Sequence, residues 1–180
     1  MSVSRPLLPF RLLWLLLLLA GCASNDKAPL SVLPDGSNGG GNIRAASDAL
    51  QLQGWPYVYG GESPNEGFDC SGLVVYVYHR QGLRLPRDTQ SLARYLPMVQ
   101  PEQRQPGDLL FFNTSGKPFS HVGIYVGGDD FVHAPSSRTG RVMRSSLSQP
   151  YWRERFIGVR RPVPYQSLSL NAAAASCGSN

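Results

Sequence analysis

The chain has 180 residues, a formal net charge of +5 and three cysteines. Residues 1–21 contain Arg5 and Arg11 and no acidic residue, so the charge without them is +3. This excess is small and no block of basic residues accompanies it, which gives no reason to expect a nucleic-acid partner. Without its two ends, the chain is long enough for one domain of ordinary size.

The N-terminal segment has the organisation of a secretory signal. Arg5 and Arg11 supply positive charge ahead of an apolar run at residues 12–20. That run is too short to cross a bilayer on its own, because a spanning helix needs about 20 apolar residues. We therefore predict that residues 1–21 form a signal peptide.

The apolar run ends in Leu-Ala-Gly-Cys at residues 19–22, and this sequence resembles the bacterial lipobox. In a lipobox the cysteine receives lipid and becomes the first residue of the mature protein, so the resemblance implies a membrane anchor at Cys22. An ordinary signal followed by a chance cysteine is the alternative. Neither Ala23 nor Ser24 resembles the aspartate that retains such lipoproteins at the inner membrane. We therefore expect a lipid anchor in the outer membrane, with the protein on its periplasmic face.

Composition divides the rest of the chain into a tether, a domain and a tail. Residues 22–42 lack a sustained apolar pattern and are predicted to be a flexible tether. The domain is expected at residues 43–162, and residues 163–180 are expected to be a disordered tail that contains Cys177. Cys70 is then the one cysteine inside the domain. This argues against a disulfide framework and leaves a buried or a reactive thiol.

The order of predicted elements indicates an α+β domain, with helices first and strands afterwards. Helices are predicted where apolar residues recur at helical spacing, at residues 43–53, 70–80 and 88–96. An aromatic loop is predicted at residues 55–61. Short β-rich runs separated by turn residues follow at residues 109–112, 121–126, 131–134, 141–143 and 156–160. We expect the strands to form an antiparallel sheet that packs against the helices.

Asp69 is expected to place Cys70 in the first turn of a helix. Aspartate is a favourable N-cap residue, and a helix N-terminus favours the thiolate form of a cysteine. A neighbouring imidazole has the same effect. Cys70 is on this interpretation a nucleophile, whereas a small buried hydrophobic residue is the alternative. Asp69 is either a cap alone or also a substrate ligand.

Three histidines are candidates for the base. His79 lies nine residues beyond Cys70 on the same predicted helix, and at about 100° per residue it faces the opposite side. His121 and His133 lie in alternating segments on either side of a glycine-rich turn. They share a sheet face if the loop between their strands has three residues, and opposite faces if it has two. In the first case His133 can orient the ring of His121 or simply pack beside it.

A zinc site is the other chemistry that one cysteine and two histidines could support. Nothing in the sequence has the spacing of zinc ligands, so we expect neither a metal nor an organic cofactor.

Six motifs in order resemble those of the NlpC/P60 family of cell-wall peptidases. The motifs are YVYGG, GFDCSGLV, LPR with a following glutamine, PGDL, HVGIYVG and FVHA, and the match as a whole runs from about residue 45 to residue 161. Each motif alone is weakly specific, but six in sequence are highly specific. The resemblance implies a papain-like α+β fold in which N-terminal helices pack on an antiparallel sheet of about five to six strands.

By position, the resemblance implies roles for the residues at the reacting centre. Cys70 corresponds to the nucleophile, His121 to the general base and His133 to the residue that orients the base. Tyr57 corresponds to the tyrosine beside the nucleophile. It would help the Cys70 amide to stabilise an oxyanion, or it would only pack on the start of the helix.

Three further positions correspond to the stem-peptide site of the family. These are Asp69, Ser71 and Arg87. Arg87 would either pair with a substrate carboxylate or remain a solvated surface residue.

The expected function is hydrolysis of peptidoglycan stem peptides, at the D-γ-glutamyl–diaminopimelate bond, through a cysteine thioester. A D,D-endopeptidase, an amidase or an acyltransferase on the same scaffold remains open, as does a non-catalytic lipoprotein that only binds peptidoglycan. A loss of the nucleophile or the base would favour the binding protein, but Cys70, His121 and His133 are all present. We expect a monomer.

Overall fold

The structure is a computed structural model and describes residues 37–163, with side chains from Asn42 onward. The predicted signal peptide, the lipid site at Cys22 and nearly all of the predicted tail lie outside these residues. None of the helices within residues 37–163 is long and apolar enough to cross a membrane.

Within that range, four α-helices and eight strands alternate with short loops, and a 3-10 turn covers Pro101–Gln103. The helices are α1 (Ser37–Gln51), α2 (Cys70–Arg80), α3 (Thr89–Tyr95) and α4 (Pro150–Arg155). The strands are β1 (Glu62–Ser63), β2 (Gly67–Phe68), β3 (Met98–Val99), β4 (Leu109–Phe112), β5 (His121–Gly127), β6 (Asp130–His133), β7 (Met143–Ser146) and β8 (Phe156–Arg160). The α+β class is confirmed, and the three predicted helices precede β4 to β8, but β1 and β2 lie before α2 and α4 lies between β7 and β8.

Helix α1 begins at Ser37, before the predicted start at residue 43, so the end of the predicted tether is helical. The sequence argued against this because three consecutive glycines have low helix propensity. A tertiary contact holds this end of the helix. Asn42 is buried, and its carbonyl lies so close to Gly107 that a Cβ on Gly107 would come within 2.1 Å of the oxygen.

Helices α2 and α3 both begin at an aspartate cap. The Asp69 side chain accepts a hydrogen bond from the Gly72 amide at 2.7 Å, and the Asp88 side chain accepts one from the Ser91 amide at 2.8 Å. Each bond pairs a backbone N–H that the helix itself leaves without an acceptor. Cys70 is therefore the first residue of α2, as predicted.

The main sheet has six antiparallel strands in the order β3-β8-β4-β5-β6-β7. The predicted number of strands is confirmed, but the predicted strand at 141–143 lies at Met143–Ser146 instead. Strands β3, β1 and β2 were not predicted, because each is only two residues long. Helix α4 was also missed, because its six residues are too few to show a helical period.

Both faces of the sheet are covered. On one face, Leu109, Val122 and Ile124 pack with residues of α1, α2 and α3. On the other face, Leu110, Phe112, Tyr125 and Phe131 pack with Trp152 of α4. Alternation along β5 and β6 assigns His121 and His133 to the second face, which α4 covers.

The turn between β5 and β6 has two residues, but the strand before it is irregular. Gly127 pairs with Asp130, which leaves a two-residue turn, and a two-residue turn alone would put the histidines on opposite faces. The register shifts between Tyr125 and Gly127, so the strand contains an extra residue there. Beyond this bulge Tyr125 pairs with Phe131, and odd-numbered residues of both strands share a face. The histidines therefore share a face, one of the two arrangements that the sequence left open, and a bulge rather than a three-residue loop produces it.

A buried ion pair joins the end of the domain to its middle. Asp108 is fully buried and accepts two hydrogen bonds from the Arg161 guanidinium, from Nε at 2.8 Å and from Nη2 at 2.8 Å. The Tyr78 hydroxyl donates to the neighbouring Gly107 carbonyl. These contacts hold the loop before β4 against α2 and thereby support the strand beside β5.

Candidate active site

One cavity brings together the first residue of α2 and the first residue of β5. Its volume is about 560 Å³, and both Cys70 and His121 line it. The helix packs on one sheet face and the histidine belongs to the other, and both residues line the cavity beside the start of β5, beyond the last residue of β6. The remaining lining residues are Tyr57, Tyr59, Gly60, Asp69, Ser71, Arg87, Asp88, Thr89, Thr114, Ser120 and Pro135.

The Cys70 thiol is held in its neutral form. Burial raises its pKa to about 11, and the nearby Asp69 carboxylate acts in the same direction. Hydrogen bonds from the backbone of Val122, Ser71 and Cys70 itself oppose this rise but do not outweigh it. Burial thus opposes the preference for a thiolate that is expected at a helix N-terminus. Cys70 therefore needs a base at the moment of attack.

The His121 ring is buried and neutral. Its exposed fraction is 3%, and burial lowers its pKa from 6.5 to about 4. Its Nε2 lies 2.8 Å from Nδ1 of His133. The other ring nitrogen, Nδ1, is thus left for the cavity that His121 shares with Cys70. A neutral imidazole at this place can accept a thiol proton.

His133 occupies the position expected of a residue that orients the base. It is fully buried, and its second nitrogen, Nε2, lies 2.9 Å from the hydroxyl of Ser145 on β7. Burial and the neighbouring His121 ring lower its pKa well below the usual value. Gly123, which faces His133 across the strand pair, leaves room for this arrangement. A Cβ on Gly123 would come within 3.2 Å of the His133 Cβ.

Trp152 of α4 encloses both histidines, and the sequence analysis did not identify it. Its ring stacks on His121 at 5.5 Å with an interplanar angle of 29° and meets His133 edge-on at 4.7 Å. These contacts help to keep water from the imidazoles, and this burial is the main cause of their low pKa. No sequence pattern indicated the tryptophan because its helix is short and distant along the chain from both histidines.

Asp69 is the centre of a hydrogen-bonded clamp beside the nucleophile. Burial favours its neutral form, but bonds from Arg87 and from the Gly72 and Gly60 amides lower its pKa below the usual value. Arg87 approaches both carboxylate oxygens at 3.0 Å, the bidentate geometry that carboxylates prefer. The Ser71 hydroxyl donates to Asp69 and accepts from Arg87 at 2.8 Å.

Arg87 pairs with protein groups, and its role as a partner for a substrate carboxylate remains a prediction. Besides Asp69 and Ser71, its guanidinium donates to the Gly60 carbonyl at 2.8 Å and contacts Glu62 at 2.7 Å. All of its N–H groups therefore point at protein acceptors. It is neither free nor merely solvated, because it ties the loop before β1 to the start of α2. Asp69, Ser71 and Arg87 all line the cavity, so their roles in substrate binding remain predictions.

Tyr57 lies in the cavity wall close to the sulfur. Its backbone N–H donates to the Gly140 carbonyl at 2.9 Å, which fixes the residue beside the loop after β6. Burial raises the pKa of its phenol, and Cys70 and Asp69 add to the rise. The phenol is therefore protonated and able to donate a hydrogen bond. His79, in contrast, is exposed on the far side of α2, as predicted.

Comparison with known proteins decides the family. The sequence profile described as the NlpC/P60 family matches residues 54–161, which is more than half of the chain. The chain belongs to the NlpC/P60 family. The matched residues of this NlpC/P60 domain contain Cys70, His121 and His133.

Relatives of the NlpC/P60 domain have named enzymatic activities. The chain is 41% identical over 122 residues to Gamma-DL-glutamyl hydrolase of Bacillus subtilis (strain 168), a match that covers 67% of this chain and 29% of that protein. It is 42% identical over 151 residues to the Probable endopeptidase NlpC of Escherichia coli (strain K12), which covers 81% and 93%. With Murein DD-endopeptidase MepH of the same strain it shares 39% identity over 129 residues, covering 69% and 47%. The chain thus spans less than half the length of two of these relatives.

The fold of the NlpC/P60 domain also has solved counterparts. A protein of Staphylococcus aureus subsp. aureus Mu50, described as similar to lipoprotein and of the NLP/P60 family, superimposes with a TM-score of 0.60 at 39% identity. The match covers 67% of this chain and 41% of that one. The fold class expected from the sequence is confirmed.

Proposed function

We propose that this NlpC/P60 domain is a cysteine-type endopeptidase that hydrolyses peptide bonds in peptidoglycan. The observation that carries the proposal is the shared cavity of Cys70 and His121, with His133 hydrogen-bonded behind the base. A nucleophile, a base and an orienting residue in that order are the parts that covalent hydrolysis of an amide requires. The names of the related endopeptidases agree with this chemistry.

The reaction begins from a neutral pair. As the Cys70 sulfur attacks the substrate carbonyl, its proton passes to Nδ1 of His121, and the carbonyl becomes a tetrahedral oxyanion. The Cys70 amide and the protonated phenol of Tyr57 donate hydrogen bonds to that oxyanion. His121 then gives the proton to the leaving amine, which leaves a thioester. Water, deprotonated by His121, hydrolyses the thioester and restores the thiol.

The bond that we propose is cleaved lies between D-γ-glutamate and diaminopimelate of the stem peptide. The relative named Gamma-DL-glutamyl hydrolase and one named Bifunctional muramidase/DL-endopeptidase CwlT support this choice. The relative named Murein DD-endopeptidase MepH favours a second candidate, cleavage of the D,D cross-link. Both reactions use the same nucleophile and base, so the substrate distinguishes them.

Digestion of two purified muropeptides separates the two reactions. A monomeric disaccharide tetrapeptide contains the glutamyl–diaminopimelate bond and no cross-link, whereas a D,D-cross-linked dimer contains both. We expect the chain to release a disaccharide dipeptide from the monomer, identified by mass, and Cys70→Ala to release nothing. Conversion of the dimer to intact monomers would establish the D,D activity instead. Equal cleavage by Cys70→Ala and wild type would remove Cys70 from the mechanism, and activity that chelators abolish but thiol alkylation leaves intact would favour a zinc enzyme.

We also propose that Cys22 carries lipid, that the protein is a monomer and that it lies at the periplasmic face of the outer membrane. The sequence at residues 19–22 and the lipoprotein resemblance of the S. aureus counterpart support the anchor. Metabolic labelling with a radioactive fatty acid should mark the wild type but not Cys22→Ala. Membrane fractionation should recover the wild type in the outer membrane. Label on Cys22→Ala, or recovery of the wild type in the soluble periplasm, would contradict the anchor.

A further inference from the structure

The Ser145 hydroxyl lies at the end of a hydrogen-bond network that starts at His121, the candidate base. His121 Nε2 is 2.8 Å from His133 Nδ1, and His133 Nε2 is 2.9 Å from Ser145 Oγ. Ser145 is buried, with 6% of its surface exposed, and it belongs to β7, two strands away from β5. The sequence analysis assigned it no role because the predicted strand stopped before it.

The surroundings of His133 leave Ser145 as the partner for its outer nitrogen. Phe131 contacts the ring at 4.8 Å and Trp152 at 4.7 Å, and neither side chain presents an acceptor there. Within residues 37–163, the hydrogen-bond partners of the His133 ring are His121 and Ser145. Loss of the hydroxyl would therefore leave a buried ring nitrogen without a partner, which is costly.

The positions of the ring hydrogens on His121 and His133 depend on each other. For His121 to accept a proton at Nδ1, its own hydrogen must sit on Nε2 and point at His133. Nδ1 of His133 must then be bare, so the hydrogen of this neutral ring is on Nε2 and points at Ser145. Oγ of Ser145 is an acceptor at that place. With hydrogen on Nε2 of both rings, Nδ1 of His121 can accept a proton and each ring N–H has an acceptor.

We propose that Ser145 is a positioning residue that fixes the tautomer of His133 and, through it, the tautomer in which His121 can take the Cys70 proton. Without the hydroxyl, His133 gains by moving its hydrogen to Nδ1, where Nε2 of His121 can accept it. The hydrogen of His121 then lies on Nδ1 and faces Cys70, and the base is lost. Throughout the reaction the transferred proton stays on His121, and His133 and Ser145 release none.

This inference rests on the proposed function only where it concerns rates, so its test has a part that needs no substrate. Nitrogen-15 NMR of the histidine side chains in the full chain, purified in detergent, reports which ring nitrogen carries hydrogen. In the wild type we expect hydrogen on Nε2 of both His121 and His133. In Ser145→Ala we expect it to move to Nδ1 of both. Hydrogen on Nδ1 of His133 in the wild type would overturn the proposal, whether or not any variant folds.

Kinetics supply the second part, with a matched control on the same strand. We expect Ser145→Ala to lower kcat by about 10- to 100-fold, the range found for residues that orient metal-binding histidines, with KM changed by less than about twofold. Ser145→Thr keeps the hydroxyl and should recover most of the rate. Ser146→Ala removes a hydroxyl that bonds Ser148 on the opposite face, and should behave as wild type. Wild-type kcat in Ser145→Ala, or equal losses in the Ala and Thr variants, would overturn the proposal.

Alkylation of Cys70 by iodoacetamide distinguishes a failure of this proposal from a failure of the proposed function. The alkylation rate depends on proton removal from the thiol and not on peptidoglycan. We expect Ser145→Ala to slow it by about 10-fold or more relative to wild type and to Ser146→Ala. The wild type could cleave no muropeptide while Ser145→Ala still shows slower alkylation and the expected change of tautomer. In that case the proposed substrate is wrong and the positioning role of Ser145 stands. An unchanged alkylation rate in folded Ser145→Ala would overturn the role.

Discussion

Acid should weaken the fold because two histidines are buried in their neutral form. The pKa of His121 falls from 6.5 to about 4 on folding, since its ring loses contact with water. Below about pH 6.5 His121 therefore binds a proton in the unfolded chain but not in the folded one. The stability that the neutral ring permits is complete above pH 6.5 and is lost as the pH falls. At about 1.4 kcal/mol per pKa unit the full loss from His121 is about 3 kcal/mol, of which about 2 kcal/mol has gone at pH 5.

Urea unfolding at about pH 7.5 and about pH 5 measures this loss directly. The depressed pKa of His133 adds to the loss in the same direction. Asp69 does not take part in this loss, because its pKa is lowered from 3.8 and the stability that it contributes is lost only in stronger acid. A loss of about 2 kcal/mol or more is a large part of the stability of an ordinary domain. Between the two pH values the unfolding free energy of His79→Gln, a change at an exposed ring, should fall as much as that of the wild type. The unfolding free energy of His121→Gln should fall less.

The reasoning would be refuted if the wild type had the same unfolding free energy at both pH values. It would also fail if His79→Gln, rather than His121→Gln, removed the pH dependence. Either result would mean that the buried rings are not the groups that take up protons on unfolding.

Three substitutions test other parts of the site. Gly123→Ala places a Cβ within 2.6 Å of a Phe131 ring carbon, so we expect destabilisation of about 1–3 kcal/mol in urea and a loss of muropeptide cleavage. Full activity in this variant would show that the close packing at Gly123 is not needed. Trp152→Leu uncovers His121, so the acid limb of the kcat/KM profile, expected near pH 4 in the wild type, should move toward the ordinary imidazole value. An unmoved limb would mean that other groups keep water from the ring. Tyr57→Phe should lower kcat by about 100-fold or more if the phenol stabilises the oxyanion, whereas an unchanged kcat would assign Tyr57 to packing alone.

Local signals in the sequence were sufficient to predict the parts of the site that depend on residues close together in the chain. Asp69 is a favourable cap, so the start of α2 and the place of Cys70 followed from the sequence. The alternation of His121 and His133 in their strands allowed either a common face or opposite faces, and the sequence did not show the bulge that decides between them. The family resemblance then placed both elements in one site, and the comparisons confirm the family and the fold.

Contacts between distant segments explain what the sequence did not show. Trp152 and Ser145 reach the histidines only because α4 and β7 pack beside β6, and neither element has a clear pattern of its own. Arg87 looked available for a substrate because nothing local indicated that Asp69 and the Gly60 carbonyl would take its donors. The neutral state of Cys70 depends on burial, which appears only when the cavity walls are assembled.

Trapping the acyl group during turnover tests the central claim most directly. The chain is mixed with a labelled stem peptide, quenched in acid within the first turnover, digested and analysed by mass spectrometry. We predict that the peptide containing Cys70 carries the acyl fragment as a thioester, that His121→Gln greatly reduces this adduct, and that Cys70→Ala neither forms it nor cleaves the substrate. Cleavage by Cys70→Ala at the wild-type rate, or a label on another residue while turnover proceeds, would contradict the account.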